Sequence, residues 1–204
     1  MPSITEFAAT VIAISVSGVM SPGPLFASNV AYGIRGGWRS GIRMALGHTI
    51  VEGPLVLLIG IGALSLGALP QFRQYVSVLG AIALFVFAGL QVRSALQKTP
   101  TERQSKHGPF YAGIFLSALN PFFIVWWLTI GFKLISDAVA LYSLVGIGLV
   151  FGFHIWMDYG WLGTVGFLSG RGRAILSGKN YRMLMVALAG VLVYFGTVFL
   201  AGSL

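Results

Sequence analysis

The chain has no cysteine and few charged residues. With 0 cysteines among 204 residues, disulfide bonds, thiolate metal sites and cysteine nucleophiles are excluded. Charged residues make up 9% of the chain, against about 25% in an ordinary soluble domain. The 13 Lys and Arg and the 5 Asp and Glu cannot coat a water-soluble globule, but they suffice to cap several helices in a bilayer. The composition therefore indicates an integral membrane protein.

Signatures of catalysis are missing as well. The sequence contains no Gly-x-Ser-x-Gly elbow, no His-Glu-x-x-His motif and no phosphate-binding glycine loop. The formal charge of +8 would suggest nucleic acid in a soluble chain, but in a membrane protein basic residues serve as a topology signal. We therefore expect no enzyme, no cofactor and no nucleic-acid partner, and a lipid bilayer as the environment.

Hydrophobic residues are abundant, at 56% of the chain. A spanning helix needs about 20 mostly apolar residues. Runs such as 79–90 are apolar on every side, which favours helices over strands of alternating polarity. We predict an all-α membrane protein with six transmembrane helices, at residues 4–31, 42–67, 74–95, 110–132, 139–168 and 183–203.

Basic residues alternate between the connections. The connections after the first, third and fifth spans hold eleven of the thirteen, namely Arg35, Arg39, Arg43, Arg93, Lys98, Arg103, Lys106, Arg171, Arg173, Lys179 and Arg182. The positive-inside rule places these connections in the cytoplasm. We therefore predict a multi-pass protein of the cell (inner) membrane with both termini outside the cytoplasm.

The two halves of the chain resemble each other. A cytoplasmic linker at 97–109 separates a first three-helix repeat at 1–96 from a second at 110–204. Because each repeat has an odd number of spans, the second would enter the membrane from the opposite side. This gives two inverted three-helix repeats, an architecture typical of secondary transporters.

The rarest residues occupy equivalent places in these repeats. His48 and Glu52 are four residues apart, as are His154 and Asp158, and the second pair lies 106 positions after the first. Each pair lies on one face of its helix. An ionisable residue at membrane depth costs about 2.5 to 3.5 kcal/mol and marks a binding or ion pathway by default. We expect these residues to bind substrate or couple an ion; buried structural pairs are the alternative.

Proline residues interrupt the first and fourth spans. Pro22, Gly23 and Pro24 predict a broken first helix, and Asn120 with Pro121 offers the same device in the second repeat. Unwound backbone at membrane depth is tolerated only where it is buried or lines an aqueous cavity, and a helix that begins there suits an anionic group.

Other residues have structural explanations. Asn29 could be a polar ligand or form a hydrogen bond between helices. Two sets favour packing: small residues at four-residue spacing, clearest at Gly33, Gly37, Gly41 and Ala45 and again at Gly148 and Gly152, and the aromatic cluster of Phe122, Phe123, Trp126 and Trp127.

Several of these motifs resemble one family. Ser21-Pro22-Gly23-Pro24, the run from Gly33 to Gly47, the acid at Glu52 and the Asn120-Pro121 element are together similar to the LysE family of amino-acid exporters, including its homoserine and threonine branch. Size and span number agree over nearly the whole chain. The resemblance implies export of small amino acids or related metabolites, driven by an ion gradient.

Two departures from the family pattern bear on the substrate. Phe122 stands where the family often has Lys, and His48 stands where an apolar residue is usual. Related branches handle metal ions, and two imidazoles with two carboxylates would suit a divalent transition metal.

The leading hypothesis is therefore alternating access by an amino-acid exporter, with protons as the expected coupling ion because histidine has a reference pKa of about 6.5. The alternatives are a divalent metal exporter using His48, Glu52, His154 and Asp158, or a membrane scaffold or enzyme. The sequence leaves the substrate, the coupling ion and homo-oligomerisation open.

Overall fold

The structure is a computed structural model that describes residues 3–21, 23–66, 108–171 and 179–201, with isolated positions between 75 and 96. Half of the predicted third span and nearly all of the predicted linker lie outside the described residues. In the ranges described every element is helical and no strand occurs. The helices are α1 (Ile4–Val19), α2 (Pro24–Leu66), α3 (Gly108–Ala118), α4 (Pro121–Trp126), α5 (Phe132–Tyr142), α6 (Leu144–Arg171) and α7 (Lys179–Ala201), with a π-helical turn (Trp127–Gly131) between α4 and α5.

Helix α1 begins at a capping box. The Ser3 hydroxyl accepts from the Glu6 amide at 3.2 Å, and Glu6 Oε2 accepts from the Ser3 amide at 2.8 Å. These two bonds satisfy backbone donors that a helix start would otherwise leave unpaired. The helix ends at Val19, before the proline pair.

The predicted connection at 32–41 is reduced to a sharp bend at Gly37, where two helical segments of α2 meet. The chain turns only at Gly37, with φ 56° and ψ −148°, a conformation that side chains disfavour. Arg35, Arg39 and Arg43 are all exposed along this stretch. Residues 32–41 therefore form helix with one sharp bend.

The predicted connection at 133–138 is also helical. Lys133 and Asp137 form an ion pair at four-residue spacing on α5, so the charges that suggested a loop stabilise the helix instead. The chain breaks later, at Ser143 between α5 and α6, with φ 54° and ψ −143°.

The closest helix packing joins α2 to α6 and to α3. A Cβ at Gly41 would lie 2.0 Å from the Leu162 carbonyl oxygen, so only glycine permits this approach. The predicted close packing is thus present at Gly33 and Gly41, whereas Gly37, Gly148 and Gly152 have no described atom within 4 Å of an added Cβ.

Two of the described helical stretches are long and apolar enough to cross a membrane, Pro24–Leu64 and Phe122–Tyr142, and α1 is a shorter apolar helix. Buried apolar residues from α1, α2, α5 and α6 form the core around Trp126 and Trp127. This core surrounds the polar cluster described next.

Candidate functional site

Four buried polar side chains meet between α2 and α6. His154 Nε2 lies 3.1 Å from Glu52 Oε1 and 3.5 Å from Asp158 Oδ2. His48 Nε2 lies 3.5 Å from Glu52 Oε1 and 3.8 Å from Asp158 Oδ1. Each histidine therefore faces its own acid and the acid of the other helix. We call these four residues the His–carboxylate cluster.

The cluster is shielded from bulk solvent. Glu52 is 0% exposed, and none of the other three members exceeds 5%. Glu52 Oε2 and Asp158 Oδ2 have no hydrogen-bond partner among the described residues. A buried carboxylate oxygen without a donor is costly, so the cluster suits a group that brings positive charge or N–H donors.

A serine supports each histidine from the opposite side of its ring. His48 Nδ1 lies 2.6 Å from Ser117 Oγ on α3, and His154 Nδ1 lies 2.9 Å from Ser15 Oγ on α1. Both serines are buried. The histidine on α2 is thus supported by the second half of the chain, and the histidine on α6 by the first half. Sequence reasoning missed both serines.

Aromatic rings enclose the cluster. Trp127 donates its indole N–H to Glu52 Oε1 at 3.1 Å. Trp126 and Trp127 lie against the His154 ring, with centroids 5.4 and 5.0 Å away, and Phe123 lies 5.0 Å from His48. Phe123, Trp126 and Trp127 therefore contact the cluster directly, in addition to the packing role predicted from the sequence.

The two helix breaks lie beside the cluster and close to each other. A Cβ at Gly23 would be 3.8 Å from Asn120 Nδ2. Pro24 is the first residue of α2, and Pro121 is the first of α4, where the Asn120 side chain caps the helix by accepting from the Phe122 amide at 3.0 Å. Pro22 lies outside the described residues.

Asn29 has a different position from the other candidates. It is fully buried and donates Nδ2 to the Leu162 carbonyl at 2.8 Å. This bond joins α2 to α6. Of the two roles considered for Asn29 from the sequence, the structure contains the hydrogen bond between helices.

A cavity of about 240 Å³ extends between the breaks and the cluster. Its lining includes both the N-terminal end of α2 and the four cluster residues. Its lining residues are Gly18, Val19, Ser21, Gly23, Pro24, Leu25, Phe26, His48, Glu52, Ser117, Asn120, Phe122, Phe123, Trp126, Trp127, His154, Asp158, Trp161 and Leu162.

Comparison with protein families gives one result that covers this whole region. The model of the LysE type translocator family matches residues 16–203. The chain belongs to the LysE type translocator family. Comparisons with curated proteins and with solved structures gave no match.

Membership of this family indicates the general function and location of the protein. It is a multi-pass membrane protein of a family that exports amino acids or related compounds. The matched residues include the cavity, both breaks and all four members of the His–carboxylate cluster.

The translocator's cluster also has donor atoms suited to a metal ion. One ligand atom each from His48, Glu52 and Asp158 lies within 4.8 Å of the others. His154 Nε2 is close to the same carboxylates. Two imidazole nitrogens and two carboxylate oxygens form a donor set that zinc and similar divalent ions accept.

Proposed function

We propose that the protein is a secondary-active exporter of small amino acids, working by alternating access and coupled to protons. The observation that carries this is a small cavity lined both by a buried pair of carboxylates and by the N-terminal residues of α2. An α-amino acid has an ammonium group that can meet the carboxylates and a carboxylate that can meet the helix N-terminus.

The ammonium group fits the cluster end. Its N–H groups can donate to Glu52 and Asp158, each of which has an oxygen without a described hydrogen-bond partner. The substrate carboxylate fits the end near Pro24, where the α2 dipole favours negative charge. A volume of about 240 Å³ lies below the roughly 300–1,000 Å³ typical of pockets for drug-sized ligands, which favours a small solute.

The proposed architecture is six helices in two inverted repeats. Three relationships support it: His48 and Glu52 precede His154 and Asp158 by 106 positions, the bends at Gly37 and Ser143 are separated by the same number, and each histidine is bonded to a serine of the other half. Inverted repeats place a binding site at their interface. In the proposed orientation the basic connections face the cytoplasm and both termini lie outside.

Proton coupling is proposed from the residue types at the site. Two imidazoles and two carboxylates face one another, so the cluster can carry protons in one conformation and an ammonium group in the other. Each proton that moves inward through the membrane potential supplies about 2.3 kcal/mol per 100 mV. This energy can drive export against a gradient.

The first experiment is a thermal-stability screen of the purified full-length protein against the twenty L-amino acids, followed by efflux from proteoliposomes. A solute that binds the folded state raises the unfolding midpoint. We expect Glu52→Gln to reduce efflux at least 10-fold, while Asp137→Asn, which changes an acid outside the cavity, leaves it near wild type. Unchanged rate, affinity and pH dependence in Glu52→Gln would reject the role of this carboxylate.

A divalent metal ion is the second candidate substrate, favoured by the convergence of ligand atoms within 4.8 Å. The same screen with zinc and manganese chloride distinguishes a metal substrate from an amino-acid substrate. Stabilisation by a metal that is lost in the double variant His48→Ala, His154→Ala, without any effect of amino acids, would replace the first proposal. A scaffold or an enzyme predicts neither effect.

A further inference from the structure

The hydrogen bonds of Ser117 fix the position of a proton on His48. The Ser117 hydroxyl donates to the Gly113 carbonyl at 2.6 Å, one turn earlier in α3. A hydroxyl has one proton to donate, so its oxygen can only accept in the second contact, the one with His48 Nδ1 at 2.6 Å. His48 Nδ1 must therefore carry the proton.

This proton determines the character of the other ring nitrogen. A neutral imidazole carries one proton, so Nε2 of His48 has a lone pair. That nitrogen lies 3.5 Å from Glu52 Oε1 and 3.8 Å from Asp158 Oδ1. Three acceptors thus converge on one place, and a cationic donor between them would relieve their mutual repulsion.

An ammonium group meets this requirement, since it carries three donors and no acceptor. If Ser117 donated to Nδ1 instead, the imidazole proton would be on Nε2 and would point at the carboxylates. The ring would then compete with the substrate for them. The direction of the Ser117 hydrogen bond therefore decides whether His48 can accept from a ligand.

We propose that Ser117 is a positioning residue, which keeps the Nε2 lone pair of His48 directed into the cluster, where it accepts an N–H from the ammonium group of the substrate. The identity of this cation rests on the proposed function. The orientation of the lone pair rests only on the hydrogen bonds of Ser117.

The corresponding pair on the other side lacks this constraint. Ser15 makes no second hydrogen bond among the described residues besides its contact with His154 Nδ1 at 2.9 Å. Its hydroxyl proton can turn toward the ring, which leaves the His154 proton on Nε2, where it can donate to Glu52 Oε1 at 3.1 Å. The two histidines are therefore chemically different although their surroundings are alike.

Nitrogen-15 NMR of the full-length protein in lipid nanodiscs tests the orientation directly. The chain has 3 histidines, so histidine labelling gives few signals, and single His-to-Gln variants assign them. In wild type at a pH where His48 is neutral, we expect a protonated Nδ1 and an unprotonated Nε2. In Ser117→Ala we expect a mixture of tautomers, and in Ser117→Thr the wild-type state.

Ser169→Ala is the matched control. Ser169 is buried and donates to the carbonyl one turn earlier, at 2.7 Å, but no described histidine contacts it. Its replacement should leave the His48 signals unchanged. We also expect Ser117→Ala to weaken L-threonine binding about 10-fold, with Ser117→Thr and Ser169→Ala near wild type.

The outcomes separate this inference from the proposed function. A proton on Nε2 in wild type, an imidazolium at every pH, or an unchanged tautomer in folded Ser117→Ala would each overturn the inference. The wild-type spectrum alone shows which ring nitrogen of His48 carries the proton, even if Ser117→Ala does not fold. Absence of binding by every amino acid to the wild-type protein would instead overturn the proposed function and leave the tautomer result intact.

Discussion

Gly37 and Ser143, which are 106 positions apart, have nearly the same backbone conformation. Their φ and ψ angles are 56° and −148° for Gly37, and 54° and −143° for Ser143. The same separation relates His48 to His154. Each bend thus comes eleven residues before the histidine of its half, and it sets the angle at which the histidine-bearing helix segment begins.

Relieving the strain at Ser143 should stabilise the protein. A side chain in the left-handed region costs about 1 to 2 kcal/mol, and glycine removes most of this cost while losing some entropy on folding. We expect Ser143→Gly to raise the free energy of unfolding by about 0.5 to 1 kcal/mol, measured by thermal unfolding in detergent. Ser143→Ala keeps the strain and should show no gain; a gain equal to that of glycine would contradict the explanation.

The contact between α2 and α6 should not tolerate a methyl group at Gly41. An added Cβ would lie 2.0 Å from the Leu162 carbonyl oxygen, and a backbone atom cannot turn aside as a side chain can. We expect Gly41→Ala to destabilise the protein by about 2 to 3 kcal/mol. The comparison is Gly148→Ala, which meets no described atom within 4 Å and should be neutral or slightly stabilising because alanine favours helix. Equal losses in the two variants would argue against the packing account.

The hydrogen bond from Trp127 to Glu52 can be measured with a matched pair of variants. Trp127→Phe removes the donor to Oε1, whereas Trp126→Phe removes an indole N–H that has no described hydrogen-bond partner. Both variants lose similar ring volume, so their difference isolates the hydrogen bond. We expect Trp127→Phe to cost about 1.5 kcal/mol more in unfolding free energy, the lower end for a bond to a charged group. A difference near zero would mean that Glu52 does not depend on this donor.

The cap at Asn120 should contribute to the second helix break. Asn120→Ala removes the acceptor of the Phe122 amide and should lower stability by about 1 kcal/mol. Asn120→Ser retains a capping oxygen and should recover most of this loss. Thermal unfolding of the three proteins side by side checks the prediction, and serine and alanine variants of equal stability would refute it.

The central polar residues could be predicted because they are rare. An acid or a histidine inside an apolar span is costly, so His48, Glu52, His154 and Asp158 stand out from their surroundings. The breaks could be predicted for a similar reason, since proline cannot donate a backbone hydrogen bond. The structure places these residues around one cavity.

The supporting residues could not be found in this way. Ser15 and Ser117 are small residues in helices, where serine is common, and only their partners across the fold give them a role. Trp127 likewise resembles any interfacial tryptophan until its N–H is seen to meet Glu52. Such contacts depend on tertiary packing, which a local pattern does not encode.

The predicted bounds of two helix connections were inaccurate for a different reason. Charged residues at 32–41 and 133–138 suggested connections, but a charged side chain can reach water or a partner from a helix. Arg35 is exposed on α2, and Lys133 pairs with Asp137 on α5. The actual bends depend on backbone conformation at Gly37 and Ser143, and serine gives no sequence signal for a positive φ.

The exchange of hydroxyl partners between the halves has a consequence for biosynthesis. A nascent chain that has inserted only residues up to 107 holds His48 and Glu52 without Ser117, Trp127 or Asp158. In that chain His48 and Glu52 lack most of the groups that complete the His–carboxylate cluster. Insertion of the first half into the bilayer and assembly of the His–carboxylate cluster are therefore separate events, because the cluster is complete only after α6 has joined it.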